Sequence, residues 1–267
     1  MPELPEVETI ARGLDPLVRR RVIAKPEILW DRTVDSRSIP LETLRRDSIE
    51  SVGRIGKFVA IRLRSGRTLT VHLRMTGRLT VTNAEAYVPY ERLALVFEDG
   101  DKLSFADARK FGRIRLLDDV SSDVLGVGID ALSQSLDAAA FASIVRKRKT
   151  PVKTLLLDQK RIAGVGNIYA NEALFRARIR PRRPAGRLSA RERIALVAAL
   201  RRVLLRAIES RGSSVDDYVD AEGLPGDFQK KLNVYGRAGL PCRRCRTPIK
   251  RIVLGQRGTF YCPACQR

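Results

Sequence analysis

Histidine, the side chain most often used for proton transfer near neutral pH, occurs once in the 267 residues, at His72. His72 lies in the run TVHL, which is typical of a strand, where a histidine more often has a structural role than a catalytic one. Acid–base chemistry in this chain must therefore come mainly from carboxylates, lysines or an amine.

Long apolar runs are also missing. No stretch of about 18 apolar residues occurs, which excludes an ordinary membrane-spanning helix. The first residues carry Glu3, Glu6 and Glu8, where a secretory signal peptide needs a basic and then an apolar segment. We therefore expect an intracellular, cytoplasmic protein with no membrane partner.

Cysteine is scarce too, but its four copies form a pattern. Cys242, Cys245, Cys262 and Cys265 are spaced C-x2-C-x16-C-x2-C. Disulfide frameworks belong to short secreted chains, whereas two close pairs of thiolates suit tetrahedral Zn²⁺. Four thiolate ligands leave no position for water or substrate, so the spacing predicts one structural zinc ion in a basic finger.

Positive charge is what the sequence has in excess: 51 Lys and Arg stand against 30 Asp and Glu, a net of +21. Residues 1–135 hold 22 basic and 20 acidic side chains, a net of +2, and residues 136–267 hold 29 and 10, a net of +19. So concentrated a charge repels itself, and a polyanion relieves the repulsion by releasing counterions. The pattern favours a nucleic-acid partner; an acidic membrane or protein is the alternative.

The first half alternates like a β protein after an opening helix. Apolar residues at helical spacing predict a helix over 2–18, with Pro2 in its first turn. Alternating runs joined by Ser65-Gly66 and Asp99-Gly100 predict two hairpins. We therefore expect a β-sandwich with the helix against it.

The second half is helical and basic from residue 136, after a predicted linker within 121–136. The pair Ser189 and Glu192 forms a capping box that opens a long helix. GVGNIYANE (164–172) is a glycine-rich turn feeding a helix, whose N-terminus could hold a phosphate with Asn167 as a further donor, or be a cap alone. The polar segment 212–228 is either a functional loop or a plain surface loop.

Two short segments hold side chains suited to a base stack. HLRMTG (72–77) contains Met75, and DARKFG (107–112) contains Arg109 and Phe111. Apolar side chains can wedge between bases and arginine can bind a base edge. Without further support, packing in the core is the default interpretation for Met75 and Phe111.

Taken together, these motifs resemble one family over essentially the whole chain. The segments PELPEVE, GKFVAI, HLRMTG, DARKFG, GVGNIYANEALF, DYVDAEGLPGDFQKKLNVYGR and QRGTFYCPACQR occur in order. Together they resemble bacterial formamidopyrimidine-DNA glycosylases, which excise 8-oxoguanine and ring-opened purines from duplex DNA. The resemblance implies an α+β fold with an N-terminal β-sandwich and flanking helices (1–132), a helix–two-turn–helix domain (133–234) and a zinc finger (235–267).

The resemblance also implies the chemistry and the residues that perform it. Met1 is removed, and the secondary amine of Pro2 attacks C1′ of the damaged nucleotide to give an imine, followed by β,δ-elimination. An α-amine suits this role because it titrates near pH 8, far below lysine. Glu3 moves protons, Glu6 tunes the site, Lys57 aids β-elimination, and Arg257 of the finger binds phosphate and aids δ-elimination.

Further residues are implied as DNA contacts. Met75, Arg109 and Phe111 fill the gap left by the flipped base, with Arg109 facing the orphaned cytosine, and the loop 212–228 covers that base. The implied backbone or lesion contacts are Arg148, Lys153, Asn167 and Tyr235. We expect the enzyme to act as a monomer on damaged double-stranded DNA, associated with the bacterial nucleoid.

The chain departs from the family in three places, and two other interpretations stay open. Tyr90 stands where a DNA-contacting histidine is frequent, and Ala108 and Lys110 stand where proline and arginine are common. One alternative is endonuclease VIII, a relative that prefers oxidised pyrimidines. The other is a catalytically silent zinc-ribbon DNA-binding protein, which needs neither a free Pro2 nor Glu3.

Overall fold

In the computed structural model the chain forms two compact units. The described residues are 1–214, 218–221 and 223–267. Unit 1 comprises Met1–Leu125 and Ser210–Asp227, and unit 2 comprises Gly126–Glu209 and Phe228–Arg267. Unit 1 is mainly sheet and unit 2 mainly helix, which confirms the predicted α+β class.

Unit 1 opens with helix α1, Leu4–Val18. The prediction that Pro2 lies in the first turn is wrong: Glu3 is the N-cap residue, and Pro5 is the proline at the helix start. A capping box joining Glu3 and Glu6 satisfies free N–H groups at this end, so the helix begins two residues later than expected. Pro2 lies in front of the helix, before its extended N-cap residue Glu3.

Two four-stranded antiparallel sheets form the predicted sandwich of unit 1. The eight strands are β1 Ile23–Ile28, β2 Ile49–Ile55, β3 Phe58–Leu63, β4 Thr68–His72, β5 Arg78–Asn83, β6 Glu91–Phe97, β7 Asp101–Ala106 and β8 Arg113–Leu117. Their order is β1-β6-β7-β5 in one sheet and β2-β3-β4-β8 in the other. The predicted hairpins are confirmed as β3–β4 and β6–β7.

The core of unit 1 lies where both sheets and α1 meet. Alternate strand residues such as Ile61, Leu95 and Phe105 are almost fully buried, together with Val7 and Leu14 of α1. The short helix α2, Ser122–Leu125, closes the first stretch of the unit. This core fixes the turns at the strand ends, where the candidate site residues lie.

The segment 210–227 returns to unit 1. Tyr218 is 9% exposed and belongs to the core of this unit, and Ala221 lies against Gly13 of α1. Residues 215–217 and 222 of the predicted loop lie outside the described residues. The described part is therefore an ordered strap over α1, held by an aromatic anchor.

Unit 2 consists of helices and two short sheets. Its helices are α3 Ala138–Val145, α4 Val152–Leu156, α5 Asn167–Ala177 and α6 Ala190–Glu209. Its strands are β9 Ile129–Asp130, β10 Ile162–Ala163, β11 Lys250–Leu254 and β12 Arg257–Tyr261. The predicted capping box is confirmed at α6, where Ser189 N–H donates to Glu192 Oε2 at 2.8 Å and Glu192 N–H to Ser189 Oγ at 3.3 Å.

The finger of unit 2 is a hairpin, with β11 antiparallel to β12, beside the four cysteines. Its turn residues Gly255 and Gln256 both have positive φ, at 52° and 60°, as a tight two-residue hairpin turn requires. Phe175 of α5 packs with Val234, Ile249 and the buried Cys242. None of the described helices is long and apolar enough to cross a membrane.

Candidate active site and nucleic-acid interface

The N-terminal end of α1 holds two buried carboxylates. Glu3 is 4% exposed and Glu6 is 2% exposed, and Pro2 directly before them is also buried. The Glu3 N–H donates to Glu6 Oε2 at 2.9 Å. A buried carboxylate is costly unless hydrogen bonds compensate for the lost water. The hydrogen bonds at this end of the helix therefore serve to stabilise the two acids.

Glu6 also holds the strap, because its second oxygen faces residues 212–213. The Ser213 N–H donates to Glu6 Oε1 at 2.8 Å. Gly212 has φ +80°, and a Cβ on it would lie 2.9 Å from both Glu6 Cγ and Oε1. One carboxylate thus connects the chain terminus to the strap, and only glycine fits at the point of contact.

Lys57 lies in the turn between β2 and β3 and is only 7% exposed. Arg54 connects this turn to α1. Its Nη1 donates to the Gly56 carbonyl at 2.9 Å, and its Nε donates to Glu8 Oε2 at 3.0 Å. Helix α1 packs on both strands. The structure therefore fixes the Lys57 turn against the helix that carries Glu3 and Glu6.

His72 ends β4 and is held neutral. Burial and the positive charges of Arg74 and Lys57 lower the pKa of His72 to about 3. Its Nδ1 accepts the Arg74 N–H at 3.1 Å, and its ring packs edge-on against Phe58 with 4.8 Å between centroids. At neutral pH His72 cannot donate a proton as an imidazolium, which agrees with the structural role expected from the sequence.

Met75, Tyr90, Arg109 and Phe111, which we call the exposed cluster, lie on three turns of unit 1. Met75 is 44% exposed, Phe111 48% and Tyr90 61%, so core packing, the default for Met75 and Phe111, is wrong. The Arg109 guanidinium lies 5.0 Å from the centroid of the Phe111 ring. Large apolar side chains left in water on turns indicate an interaction surface.

A buried acid, Asp107, holds these turns together. Its carboxylate accepts hydrogen bonds from the Thr76 hydroxyl, from the Arg109 N–H at 3.2 Å and from the Gly112 N–H at 2.7 Å. Its own N–H donates to the Tyr90 carbonyl at 2.9 Å. One side chain that is 1% exposed thereby positions the Met75, Tyr90 and Arg109 turns relative to one another.

In unit 2, side chains of α4 and α5 converge on one carbonyl of the finger hairpin. The Lys153 ammonium, fully buried, donates to the Gly258 carbonyl at 2.9 Å and to Thr259 Oγ1 at 2.7 Å. Asn167 Nδ2 donates to the same carbonyl at 3.1 Å. The Thr259 hydroxyl donates to the carbonyl of Arg257 at 3.1 Å, so these bonds fix the backbone beside Arg257, whose side chain is exposed.

Helix α5 holds the neighbouring segment with two buried polar residues. Asn171 Oδ1 accepts the Phe260 N–H at 2.8 Å. Glu172 accepts the N–H groups of Asn233, Val234 and Tyr235 at 2.8–3.0 Å. Tyr235 in turn packs edge-on against Phe260, with 5.2 Å between ring centroids. Asn167, Tyr235 and the finger hairpin are therefore brought together on α5.

Arg148 lies in the turn after α3. It is half-buried, and its carbonyl accepts the Gly186 N–H at 2.9 Å. A Cβ on Gly186 would approach the Arg148 backbone nitrogen to 2.8 Å, so the turn closes on a glycine. The structure thus places the Arg148 backbone directly beside Gly186.

The four cysteine sulfurs all lie within 4.8 Å of one another. A tetrahedral Zn²⁺ with Zn–S bonds of about 2.3 Å separates its sulfurs by about 3.8 Å. The Arg244 N–H points to Cys242 Sγ and the Cys265 N–H to Cys262 Sγ, both at 3.4 Å. The donor set fits zinc, and these cysteines form the site of one structural zinc ion, as the spacing predicted.

Sequence reasoning missed the residues that organise the site. Asp107, Glu172 and Thr259 are buried polar residues whose hydrogen bonds position the candidate side chains. Asp107 begins a turn motif and Glu172 interrupts an apolar helix, and these were signals that the sequence offered. The segment 212–228 was noticed as a loop, but its contact with Glu6 gave no signal, because Ser213 lies 207 residues after Glu6 in the chain.

Unit 1 has buried acids at the start of α1, and unit 2 combines basic helices with a four-cysteine finger. This combination is typical of an enzyme that acts on DNA. Three family models match in order: the formamidopyrimidine-DNA glycosylase N-terminal domain (1–114), its H2TH domain (127–219), and a zinc finger found in FPG and IleRS (239–267). The chain belongs to the formamidopyrimidine-DNA glycosylase family and is a DNA-repair glycosylase of damaged purines.

Known proteins agree over the full length. A formamidopyrimidine-DNA glycosylase of Chloroflexus aggregans is 46% identical over 273 residues, covering 100% of this chain and 98% of that protein. The MutM (Fpg) crystal structure from Thermus thermophilus has a TM-score of 0.88 at 41% identity, covering 99% of this chain and 98% of that one. A Lactococcus lactis Fpg mutant in complex with Fapy-dG-containing DNA has a TM-score of 0.89 at 32% identity, covering all of both chains.

Proposed function

We propose that this chain excises 8-oxoguanine and formamidopyrimidines through a covalent Pro2 intermediate and then cuts the strand by β,δ-elimination. The Pro2 nitrogen gives its proton to Glu3 and forms a bond to C1′ while the bond from C1′ to the base breaks, and the base leaves with that electron pair and takes a proton from water. Opening of the sugar, with a proton delivered by Glu3, leaves an iminium. Loss of the C2′ proton expels the 3′ phosphate, and a second elimination expels the 5′ phosphate.

The observation that carries this proposal is the buried pair Glu3 and Glu6 directly behind Pro2. A buried carboxylate beside an amine can accept and return protons without bulk water. The neutral His72 and the closed Cys₄ site leave these groups as the best candidates for the acid–base work. The amine of Pro2 is free only after Met1 is removed, which is part of the proposal.

The other candidate residues are assigned from their positions. Lys57, buried in a turn that is fixed to α1, is proposed to bind phosphate and donate a proton during β-elimination. The exposed cluster is proposed to fill the gap in the duplex, with Tyr90 as an additional backbone contact. Its exposure, and the guanidinium of Arg109 over Phe111, support a role as a base-stack wedge.

Arg257 is proposed as a phosphate ligand for δ-elimination, with Asn167, Tyr235 and Arg148 as further DNA contacts. We propose a different role for Lys153 than direct contact. Since its ammonium is fully buried on the Gly258 carbonyl and Thr259 hydroxyl, it acts as a positioning residue for Arg257. The enzyme is further proposed to work as a monomer on duplex DNA in the bacterial cytoplasm, near the nucleoid.

Borohydride trapping tests the central claim. Borohydride reduces an iminium to a stable amine, so the protein should form a covalent complex with a duplex holding 8-oxoguanine opposite cytosine. Intact mass should show loss of Met1. Binding without trapping or cleavage would refute the proposal, and faster release of thymine glycol than of 8-oxoguanine would favour the endonuclease VIII alternative.

A further inference from the structure

Unit 2 contains a cavity of about 80 Å³ between α5, α6 and the cysteine turn of the finger. Its floor is apolar, formed by Phe175, Val203 and Phe228. Its rim carries four cations, Arg176, Arg206, Lys231 and Arg244, which we call the basic cleft. A single water needs on the order of 10–15 Å³ of such space, so the cleft has room for a larger group.

The described residues that line the basic cleft carry more positive than negative charge. Glu172 is the one acid among the described lining residues, which together carry a net charge of +3. The Glu172 oxygens are also occupied by the N–H groups of residues 233–235. Burial and the positive charges of Arg202, Arg206 and Arg244 lower the pKa of Arg176. The Arg176 guanidinium is therefore repelled by the positive charges of neighbouring arginines. A bound anion would reduce this repulsion.

The side chains suit one kind of anion. Arginine presents a planar fork of N–H donors that matches phosphate oxygens in pairs, and lysine adds a point charge. The Arg244 guanidinium is already held over the Phe175 ring, 4.7 Å from its centroid. A side chain oriented in advance loses less conformational entropy when it binds. The cleft is thus shaped for a phosphate group.

We propose that the basic cleft binds one phosphate of a nucleic-acid backbone, separate from the phosphates bound at the lesion. Asn167 is the first residue of α5 and Arg176 the tenth. Nine steps of about 1.5 Å place them about 14 Å apart along the helix axis, so one phosphate cannot contact both. This inference extends the proposed DNA-repair function, but its test measures binding and is independent of the Pro2 chemistry.

The test uses the zinc-loaded full chain carrying Arg176→Gln and Arg206→Gln together. Its matched control carries Arg187→Gln and Arg191→Gln, two exposed arginines of the same unit outside the cleft. The affinity of each variant for DNA is measured over a range of salt concentrations. Two duplexes are used, a short one that holds the lesion and one extended by about 10 base pairs at each end. On the extended duplex the cleft variant should lower the slope of log affinity against log salt by about 0.9, and the control should not.

Other readouts separate the alternatives. Thermal unfolding and zinc content should match wild type, and borohydride trapping on the short duplex should be unchanged. Equal slopes for cleft variant and control on the extended duplex would overturn the proposal. If the cleft variant loses binding of inorganic pyrophosphate while its salt slope stays unchanged, the cleft is a site for a free polyphosphate and the proposal is overturned. If the cleft variant loses borohydride trapping, its arginines belong to the lesion site and the proposal is likewise overturned.

Discussion

Units 1 and 2 each bury charged groups beside a candidate site residue, a pair of carboxylates behind Pro2 in unit 1 and an ammonium behind Arg257 in unit 2. Unit 1 buries the carboxylates of Glu3 and Glu6, which accept backbone N–H groups at the start of α1. Unit 2 buries the Lys153 ammonium, which donates to a carbonyl and a hydroxyl of the finger hairpin. The first arrangement places carboxylates next to Pro2, the proposed nucleophile, and the second fixes the backbone next to the exposed Arg257.

The comparison suggests a division of labour that matches the charge distribution. Residues 1–135 are nearly balanced, at +2, whereas residues 136–267 carry +19. A site that must move protons needs carboxylates in controlled surroundings, and a surface that must grip a polyanion needs arginine and lysine. Changing the carboxylates of unit 1 should therefore lower the rate of base excision. Changing unit 2 should lower DNA affinity or alter the ratio of elimination products.

The largest effect is expected for Glu3→Gln. The amide cannot take or return a proton, so base excision should fall by about 10²–10⁴-fold while lesion DNA is still bound. Glu42→Gln, an exposed acid of the same unit, is the matched control and should keep wild-type excision. Single-turnover release of 8-oxoguanine measures the rate, and full activity in Glu3→Gln would exclude its catalytic role.

Much of this division was predictable from the sequence because it rests on local patterns. Periodicity predicted α1, the two hairpins and the capped helix α6, since the side chains that decide them are neighbours along the chain. The cysteine spacing predicted the zinc site in the same way. The helix start was missed by two residues, because Glu3 can act either as a first-turn acid or as a cap.

Long-range hydrogen bonds could not be predicted. The sequence does not reveal that Glu6 meets Ser213, or that Lys153 meets Gly258, because each pair is separated by at least 105 residues. The exposed cluster shows the same limit: Met75 and Phe111 have the composition of core residues, and only the turns held by Asp107 place them in solvent.

The next largest effect is expected in unit 2, for Lys153→Met. Removing the ammonium takes one side-chain donor from the Gly258 carbonyl and leaves that of Asn167, which lets the Arg257 backbone move. A displacement of about 1 Å can lower a rate about 10²-fold, and here the affected step should be δ-elimination. Gel analysis of the cut strand should therefore show β-elimination product accumulating while base release continues.

Two further variants sharpen that result. Thr259→Val removes the hydroxyl between Lys153 and the Arg257 carbonyl and should shift the products in the same direction, by less. Lys149→Met changes an exposed lysine before α4 and should leave the product ratio unchanged. If Lys153→Met weakens DNA binding at a constant product ratio, Lys153 contacts DNA directly and is not a positioning residue.

A smaller effect on stability is expected where the strap meets Glu6. Gly212→Ala forces a positive φ on alanine and places a Cβ 2.9 Å from the Glu6 side chain, so the free energy of unfolding should fall by about 2–4 kcal/mol. Gly223→Ala is the matched control: it has φ +78°, but no atom of the described residues other than its chain neighbours lies within 4 Å of the new Cβ, so it should lose about 1–2 kcal/mol. Equal losses in urea unfolding would show that the Glu6 contact is not tight.

The smallest expected effect concerns His72, a buried side chain of unit 1 that we expect to influence stability and not catalysis. Its pKa is about 3 in the folded chain and about 6.5 when unfolded, so its contribution to stability is complete above pH 6.5 and is lost as the pH falls toward 3. Between pH 6.5 and 5 the free energy of unfolding should fall by up to about 2 kcal/mol from this group. His72→Asn cannot take up the proton, so its unfolding free energy in urea should change less over this range, while the pH profile of excision keeps its shape. An identical pH slope in the variant would mean that His72 is protonated as readily in the fold as outside it, and that unit 1 tolerates a cation beside Lys57.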